Sequence, residues 1–151
     1  MNLLLWRHAE AEDFAANDLA RQLTARGRRD ARAVAQWLRP RLEQDTVILA
    51  SPSARTVQTV EALTDQYRVA NELAPGGSVA DLLQVAGWPE GIAATVLIVG
   101  HQPTLGETAG HLLGARPDWS VKKGALMWFK SRSRDGQEQA TLRAVISPDL
   151  L

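Results

Sequence analysis

Arginine and histidine residues stand where three apolar runs of this sequence end. Arg7 and His8 follow the run "NLLLW", Arg55 lies in "SPSAR" shortly after "TVILA", and His101 follows "TVLIVG". Guanidinium groups bind oxyanions with a planar fork of N–H donors, and an imidazole can attack a substrate or carry a proton. Together, residues of these types would suit chemistry at an anionic group.

The apolar runs predict the strands that would position these side chains. Six strands are expected, at residues 2–6, 46–50, 69–73, 95–99, 125–130 and 141–146. The runs at 2–6 and 95–99 are apolar on both faces, which is typical of buried parallel strands. The polar stretch "SRSRDGQEQ" is expected to be the turn that joins the last two strands.

Helices are predicted between the strands, at residues 24–42, from Ser53 onward, at 79–85 and at 104–113. Apolar residues at helical spacing mark the core-facing stripes. These are Ala31, Val34, Ala35, Leu38 and Leu42 in the first helix, and Val57, Val60, Leu63 and Tyr67 in the second. Alternating strands and helices predict a three-layer α/β/α sandwich with a mostly parallel central sheet. No repeat or linker interrupts the pattern, so residues 1–151 are expected to form a single domain.

The carboxyl ends of parallel strands lie at one edge of the sheet, where open α/β sheets bind ligands. Arg7, His8, Arg55 and His101 are therefore expected to converge there. Each residue alone also fits a structural role, as a solvated strand end, a helix-surface cation or a packed ring. Their coincidence at three strand ends favours a site. His111, within the last predicted helix, is expected to be a surface or packing residue.

The composition argues against several classes of protein. Lys+Arg and Asp+Glu number 17 each, so the net charge is zero, and neither nucleic acid nor a membrane surface is expected as a partner. The chain has no cysteine, which excludes disulfides, thiolate metal sites and cysteine nucleophiles. The first apolar run is too short for a signal peptide or a membrane span, so a cytoplasmic location is expected.

Four motifs, "WRHAEAE", "LTARG", "SPSARTVQT" and "VGHQPTL", together resemble the histidine phosphatase superfamily. This resemblance covers residues 2–114 and implies a phosphoglycerate-mutase-like fold. The short length and the stretch "DLARQLTARG" resemble most the SixA-type phosphohistidine phosphatase branch. The chain is therefore expected to be a metal-independent phosphatase with no cofactor.

The resemblance implies a role for each matching residue. His8 matches the nucleophile that becomes phosphorylated, and Arg7 and Arg55 match the arginines of the phosphate pocket. His101 matches the second pocket histidine. Arg21 matches an arginine that contacts the phosphoryl group in this branch.

Two positions depart from the family pattern. The N-terminal motif reads RHA where many members read RHG, and the methyl group of Ala9 is expected to cause no loss. The general acid has no secure match. Glu72 in "NELAPGG" is the nearest candidate, and a solvated loop carboxylate is an equally good interpretation of it.

Phosphoryl transfer requires charge stabilisation and a neutral attacking ring. Nearby arginines disfavour a second positive charge, so they should keep His8 neutral. One nitrogen of His8 should attack while the other donates to a backbone carbonyl, which fixes the tautomer. His101 is expected to donate to a phosphoryl oxygen, and best when a bound phosphate dianion has favoured its protonated form.

Three functions remain open at this point. The preferred one is a signalling phosphatase acting on protein phosphohistidine, for example on a histidine phosphotransfer-type domain. The alternatives are a phosphomonoesterase for small phosphoesters and a non-catalytic module that binds phosphorylated partners. In each case phosphate or a similar oxyanion should bind in the pocket. The basic segment "GRRDAR", residues 27–32, is expected to be a solvated helix face, with contact to an acidic partner as the alternative.

Overall fold

A six-stranded sheet forms the centre of the computed structural model, which describes residues 1–151. Its strands are β1 (Asn2–Arg7), β2 (Val47–Ala50), β3 (Arg68–Val69), β4 (Thr95–Gly100), β5 (Leu126–Arg134) and β6 (Gln137–Ile146). Their order across the sheet is β3-β2-β4-β1-β5-β6. The first four strands in that order are parallel to one another, β5 is antiparallel to β1, and β6 is antiparallel to β5. The predicted mostly parallel sheet is confirmed.

Four helices connect or cover the strands. They are α1 (Ala25–Leu38), α2 (Ala54–Glu61), α3 (Val79–Ala86) and α4 (Thr104–Leu113). The side chains of Thr24, Ser53 and Ser78 cap the first three by accepting hydrogen bonds from backbone N–H groups of the first turn. Gly114, in the left-handed conformation, ends α4 as the sequence predicts. No helix is both long and apolar enough to cross a membrane.

Alternate residues of the central strands face opposite helix layers. Leu4 and Trp6 of β1 are buried in the cluster that contains the inner faces of α1 and α2. Leu3 and Leu5 are buried in the cluster that contains α3 and α4. Because both faces are covered, nearly every side chain of β1 and β4 is buried, which explains their uninterrupted apolar sequences. The predicted three-layer architecture is confirmed.

Two helix predictions are wrong in detail. The helix expected over residues 24–42 ends at Leu38, and a 3₁₀ turn containing Pro40 follows, because proline lacks the N–H that would continue the helix. The second helix ends at Glu61, so Leu63 and Tyr67 lie beyond it. Its buried residues are instead mostly polar, namely Arg55, Thr56, Thr59 and Val60. Apolar periodicity could not show this, because the helix turns its first residues toward the strand ends.

Two strand predictions also need correction. The strand expected at 69–73 is only the two residues of β3, and residues 71–73 form a 3₁₀ turn. The expected turn "SRSRDGQEQ" is mostly strand, since β5 reaches Arg134 and β6 begins at Gln137. The turn itself is Asp135 and Gly136, with φ of 53° and 74°, a pair typical of two-residue hairpins. The hairpin tip is solvent-exposed on both faces, so its strands carry no apolar pattern.

Candidate active site

The carboxyl ends of β1, β2 and β4 place the predicted residues at one edge of the sheet. Arg7 and Gly100 are partners in register, so His8 and His101 follow adjacent strands. The backbone N–H of His8 donates to the carbonyl of Gly100 at 3.1 Å, and that of Ser51 donates to Val99 at 3.0 Å. The two imidazole rings consequently lie side by side, with centroids 5.2 Å apart.

His8 is a buried, neutral imidazole with one nitrogen already engaged. The residue is 7% exposed, and its Nδ1 lies 2.8 Å from the carbonyl oxygen of Ala9. Since a carbonyl can only accept, Nδ1 carries the proton and Nε2 keeps its lone pair. Burial, together with the positive charges of Arg55, Arg7 and Arg21, lowers the pKa of His8 to about 4.

His101 is neutral for similar reasons. It is 5% exposed, and its Nε2 lies 2.8 Å from the hydroxyl oxygen of the fully buried Ser51. Burial, followed by the electrostatic effects of His8 and Arg55, lowers the pKa of His101 to about 3. A protonated His101 therefore requires an anion beside it, as the sequence analysis expects for a bound phosphate dianion.

Arg55 is a buried cation held by an exposed loop. The residue is only 3% exposed. Its two terminal nitrogens donate to the backbone oxygen of Asp18 at 2.8 Å and to the Asp18 carboxylate at 3.1 Å. The hydrogen bond from Arg55 lowers the pKa of Asp18. Asp18 thus orients Arg55, a role that the sequence analysis missed.

Arg7 and Arg21 complete the positive charge around His8. Arg7 Nη1 donates to the carbonyl of Val121 at 2.6 Å, and burial lowers the pKa of Arg7. Arg21 is more exposed, at the rim, where its Nε donates to Asp18 at 3.1 Å and its Nη1 to the carbonyl of Glu12 at 3.2 Å. Asp18 therefore links both Arg21 and Arg55.

Two of these guanidinium groups have an N–H donor left over. Three buried side-chain polar atoms lack a hydrogen-bond partner within the protein: Arg7 Nε, Arg55 Nε and Thr46 Oγ1. A buried unsatisfied group costs about 1–3 kcal/mol. An oxyanion held between the arginines would supply acceptors, so the donor set fits an anion of the phosphate type.

Two buried hydroxyls tie the strand ends to α2. Thr59 Oγ1 accepts from the backbone N–H of Ala9 at 3.1 Å and donates to the carbonyl of Arg55 at 2.7 Å. Thr56 Oγ1 donates to the carbonyl of Ser51 at 2.6 Å. These threonines hold His8 and Arg55 in a fixed relation. Sequence reasoning missed them because a threonine on a helix carries no distinctive pattern.

The segment 114–124 forms a wall beside the two histidines. The Gly124 N–H donates to the carbonyl of His8 at 3.0 Å, and Gln102 Nε2 donates to the carbonyl of Trp119 at 2.8 Å. The segment packs directly on α4 at Gly106, where an added Cβ would overlap the Trp119 carbonyl. The backbone of this wall is thus held in place by contacts with His8, Gln102 and α4.

Two predicted residues lie outside this cluster. Glu72 is exposed in the 3₁₀ turn at residues 71–73, just after β3. This turn lies at the same edge of the sheet, because β3 is parallel to β2. No hydrogen bond or ion pair joins the Glu72 carboxylate to the histidines or arginines, so its role as general acid stays a prediction. His111 is exposed on α4, as expected for a surface residue.

The fold and the sequence together define the class of protein. The model of the histidine phosphatase superfamily (branch 1) matches residues 3–76. A phosphohistidine phosphatase SixA homolog of Haemophilus influenzae is 32% identical over 160 residues, which cover 93% of this chain and 96% of that protein. The chain belongs to the histidine phosphatase superfamily, which confirms the predicted family.

Particular relatives place it near the SixA proteins. Phosphohistidine phosphatase SixA of Escherichia coli (strain K12) is 34% identical over 121 residues, 74% of each chain. A solved structure of the protein histidine phosphatase SixA complexed with tungstate superimposes with a TM-score of 0.80. It is 28% identical to this chain and covers 99% of both chains.

Proposed function

We propose that this protein is a phosphatase that removes the phosphoryl group from protein phosphohistidine through a covalent intermediate on His8. The observation that carries the proposal is the state of His8. Its Nδ1 is fixed by Ala9, its Nε2 is free, and two arginines, each with a buried and unpartnered Nε, lie around it. The names of the SixA relatives support phosphohistidine as the substrate.

In the first step, His8 Nε2 attacks phosphorus as the substrate P–N bond breaks. The leaving imidazole keeps the electron pair of that bond and takes up a proton. Arg7 and Arg55 bind the equatorial phosphoryl oxygens, where negative charge is spread in the transition state. In the second step, water attacks phosphorus, the bond to His8 breaks, and inorganic phosphate and neutral His8 are restored.

His101 and Ser51 act as a pair in this scheme. We assign the Ser51 hydroxyl, 2.8 Å away, as the donor to His101 Nε2, so that the ring proton lies on Nδ1. That nitrogen then donates to a phosphoryl oxygen without the ring having to be charged. As the dianion binds, it raises the pKa of His101 and strengthens this hydrogen bond. Arg21, at the rim, contacts the same phosphoryl group from the solvent side.

The surroundings of the site favour a phosphorylated side chain on a folded partner. Open grooves of about 400 and 320 Å³ flank it, one lined by residues near Asp18 and the other by residues near Trp119. A small ligand in such a site gains little affinity from enclosure. A non-catalytic module would not need to retain a neutral nucleophile beside its phosphate pocket. The cytoplasmic location stays a prediction.

The chemistry of the leaving group points the same way. Imidazole leaves with less acid help than an alkoxide, and general acid catalysis is worth about 10²–10⁴ in rate. The candidate acid Glu72 is exposed, so acid catalysis in this site should be weak. The resulting loss of rate is smaller for cleavage of a P–N bond than for cleavage of a phosphoester bond. Glu72→Gln should therefore leave phosphohistidine hydrolysis nearly unchanged and lower any phosphoester activity. A large loss on phosphohistidine would assign Glu72 a different role.

The decisive test compares substrates and traps the intermediate, in the absence of added metal. For a phosphorylated histidine phosphotransfer domain, kcat/KM should exceed that for sugar phosphates at least about tenfold, or 1.4 kcal/mol. Mass spectrometry after a rapid neutral quench should find the phosphoryl group on His8. Equal efficiency on sugar phosphates would favour the small-molecule phosphomonoesterase. Full activity in His8→Ala would exclude the covalent route.

A further inference from the structure

The first half of α1 concentrates exposed positive charge. It carries Arg26, Arg28, Arg29 and Arg32, and all four are exposed. The structure contains four ion pairs, and none of them includes one of these arginines. In a chain with zero net charge, this is a local excess without an internal partner.

This arrangement works against the stability of the helix. The N-terminal end of a helix carries partial positive charge and favours acidic side chains, yet the first turn of α1 has none. Arg28 and Arg32 are one turn apart, where like charges destabilise a helix by about 0.2–0.5 kcal/mol. The stability of α1 therefore does not explain these four arginines. A negatively charged partner that binds them would explain their presence.

Arg28 and Arg32 line a groove between α1 and α2. The groove has a volume of about 380 Å³, and Gln36, Arg39 and Gln58 also line it. Its one carboxylate, Glu61, already accepts a hydrogen bond from the Tyr67 hydroxyl at 2.8 Å. We call this feature the arginine groove.

The arginine groove and the proposed phosphate pocket share the same structural elements. Gln58 lies less than one helical turn from Arg55 on α2 and accepts from the backbone N–H of Leu23 at 2.8 Å. At the other side, Gly27 of α1 packs against the backbone of Glu10, two residues beyond His8. A partner whose phosphohistidine reaches His8 would therefore extend over this groove.

We propose that the arginine groove docks an acidic surface of the folded protein that carries the phosphohistidine. The inference rests on the proposed function and adds how the partner is recognised. Carboxylates next to the phosphohistidine would pair with Arg28 and Arg32 as the phosphoryl group enters between Arg7 and Arg55. A small phosphoramidate would fill the pocket without reaching the groove. Docking thus acts on protein substrates alone.

The arginine groove should act mainly on the rate of encounter. Complementary charges steer association and can raise on-rates by about 10–10³, an effect that salt reduces. Activity on an acidic protein substrate should therefore fall as sodium chloride rises. Activity on a small substrate should change much less with salt.

The test is the double variant Arg28→Glu/Arg32→Glu. Its control, Arg132→Glu/Arg134→Glu, changes the charge equally on the exposed hairpin of β5 and β6, beyond the opposite end of the sheet. The probes are phosphoimidazole and a phosphorylated histidine phosphotransfer domain with acidic side chains around its histidine. At low salt, the groove variant should lose about tenfold or more in kcat/KM on the domain only. The control should keep both activities.

Docking would be overturned if kcat/KM on the domain fell equally in the groove variant and in the control. It would also be overturned if the groove variant kept the wild-type kcat/KM on the domain. Equal losses on both probes would place Arg28 and Arg32 in the catalytic machinery instead. Calorimetric titration of the phosphorylated domain into His8→Ala, with and without the groove substitutions, tests docking without turnover. A wild-type protein inactive on both probes would refute the proposed function, while this titration would still decide on docking.

Discussion

The imidazole rings of His8 and His101 lie 5.2 Å apart between centroids and are tilted by 55°. Each ring is buried, and each has one nitrogen held by a fixed neighbour, the Ala9 carbonyl for His8 and the Ser51 hydroxyl for His101. Burial keeps both rings neutral, and the electrostatic effect of His8 lowers the pKa of His101 further in the same direction. Two identical side chains can therefore take different roles, one attacking phosphorus and one donating a hydrogen bond to a phosphoryl oxygen.

Burial of this pair should make stability sensitive to acid. An unfolded histidine has a pKa near 6.5, whereas the folded values are about 4 for His8 and about 3 for His101. Between pH 6.5 and these values the unfolded chain binds more protons, so the free energy of unfolding falls as pH decreases. Urea denaturation at pH 7, 6 and 5 measures this slope. The variant His8→Asn/His101→Asn should have a flatter profile, and an unchanged slope would contradict the assignment.

Arg55 should matter far more than an exposed arginine. Arg55→Met keeps most of the side-chain volume but removes a preorganised donor to the phosphoryl group. Loss of one such donor costs on the order of 10²–10³ in rate. Arg132→Met, on the exposed hairpin, is the matched control and should leave kcat/KM on phosphoimidazole nearly unchanged. Similar effects of the two substitutions would show that Arg55 does not contact the reacting group.

Phosphate-like oxyanions should stabilise the protein. A ligand that binds only the folded state at 100 times its Kd adds about 2.7 kcal/mol of stability. Tungstate or vanadate should therefore raise Tm in wild type, because it satisfies the free donors of Arg7 and Arg55. Thermal denaturation should show this increase in Arg132→Met and not in Arg55→Met. An equal increase in both variants would indicate binding elsewhere.

Gly106 should be required for activity although it lies outside the site. Its replacement by alanine would push the Trp119 carbonyl away from α4 and shift the wall that holds Arg7 through Val121. Misplacement by about 1 Å can cost roughly 10²-fold in rate.

Gly136→Ala is the control for Gly106→Ala, because it strains a left-handed turn with no neighbours at the hairpin tip. This control variant should have a lower Tm. Its kcat/KM, measured at temperatures below the unfolding transition, should be that of wild type. If both glycine variants lost activity only in proportion to their stability, the wall would have no positioning role.

The helices and strands that are buried on one face or on both faces could be predicted from the sequence. The uninterrupted apolar runs of β1 and β4 identified the centre of the sheet, and the polar residues after them identified the edge. The sequence did not reveal the polar residues that support the site. Asp18, Ser51 and Thr59 act through contacts with residues remote in sequence, so no local pattern marks them. Both strands of the final hairpin were predicted, but their outer ends, residues 131–134 and 137–140, were missed because these exposed residues lack an apolar face.

The position of β1 between β4 and β5 determines when the active site can form during synthesis of the chain. β1 is synthesised well before its two partners, which begin at residues 95 and 126. At about 5–20 residues per second, that delay is on the order of 10 s. Until then Leu3, Leu4, Leu5 and Trp6 lack their native strand partners. The native position of His8 at the end of β1 is therefore complete only after β4 and β5 have been made.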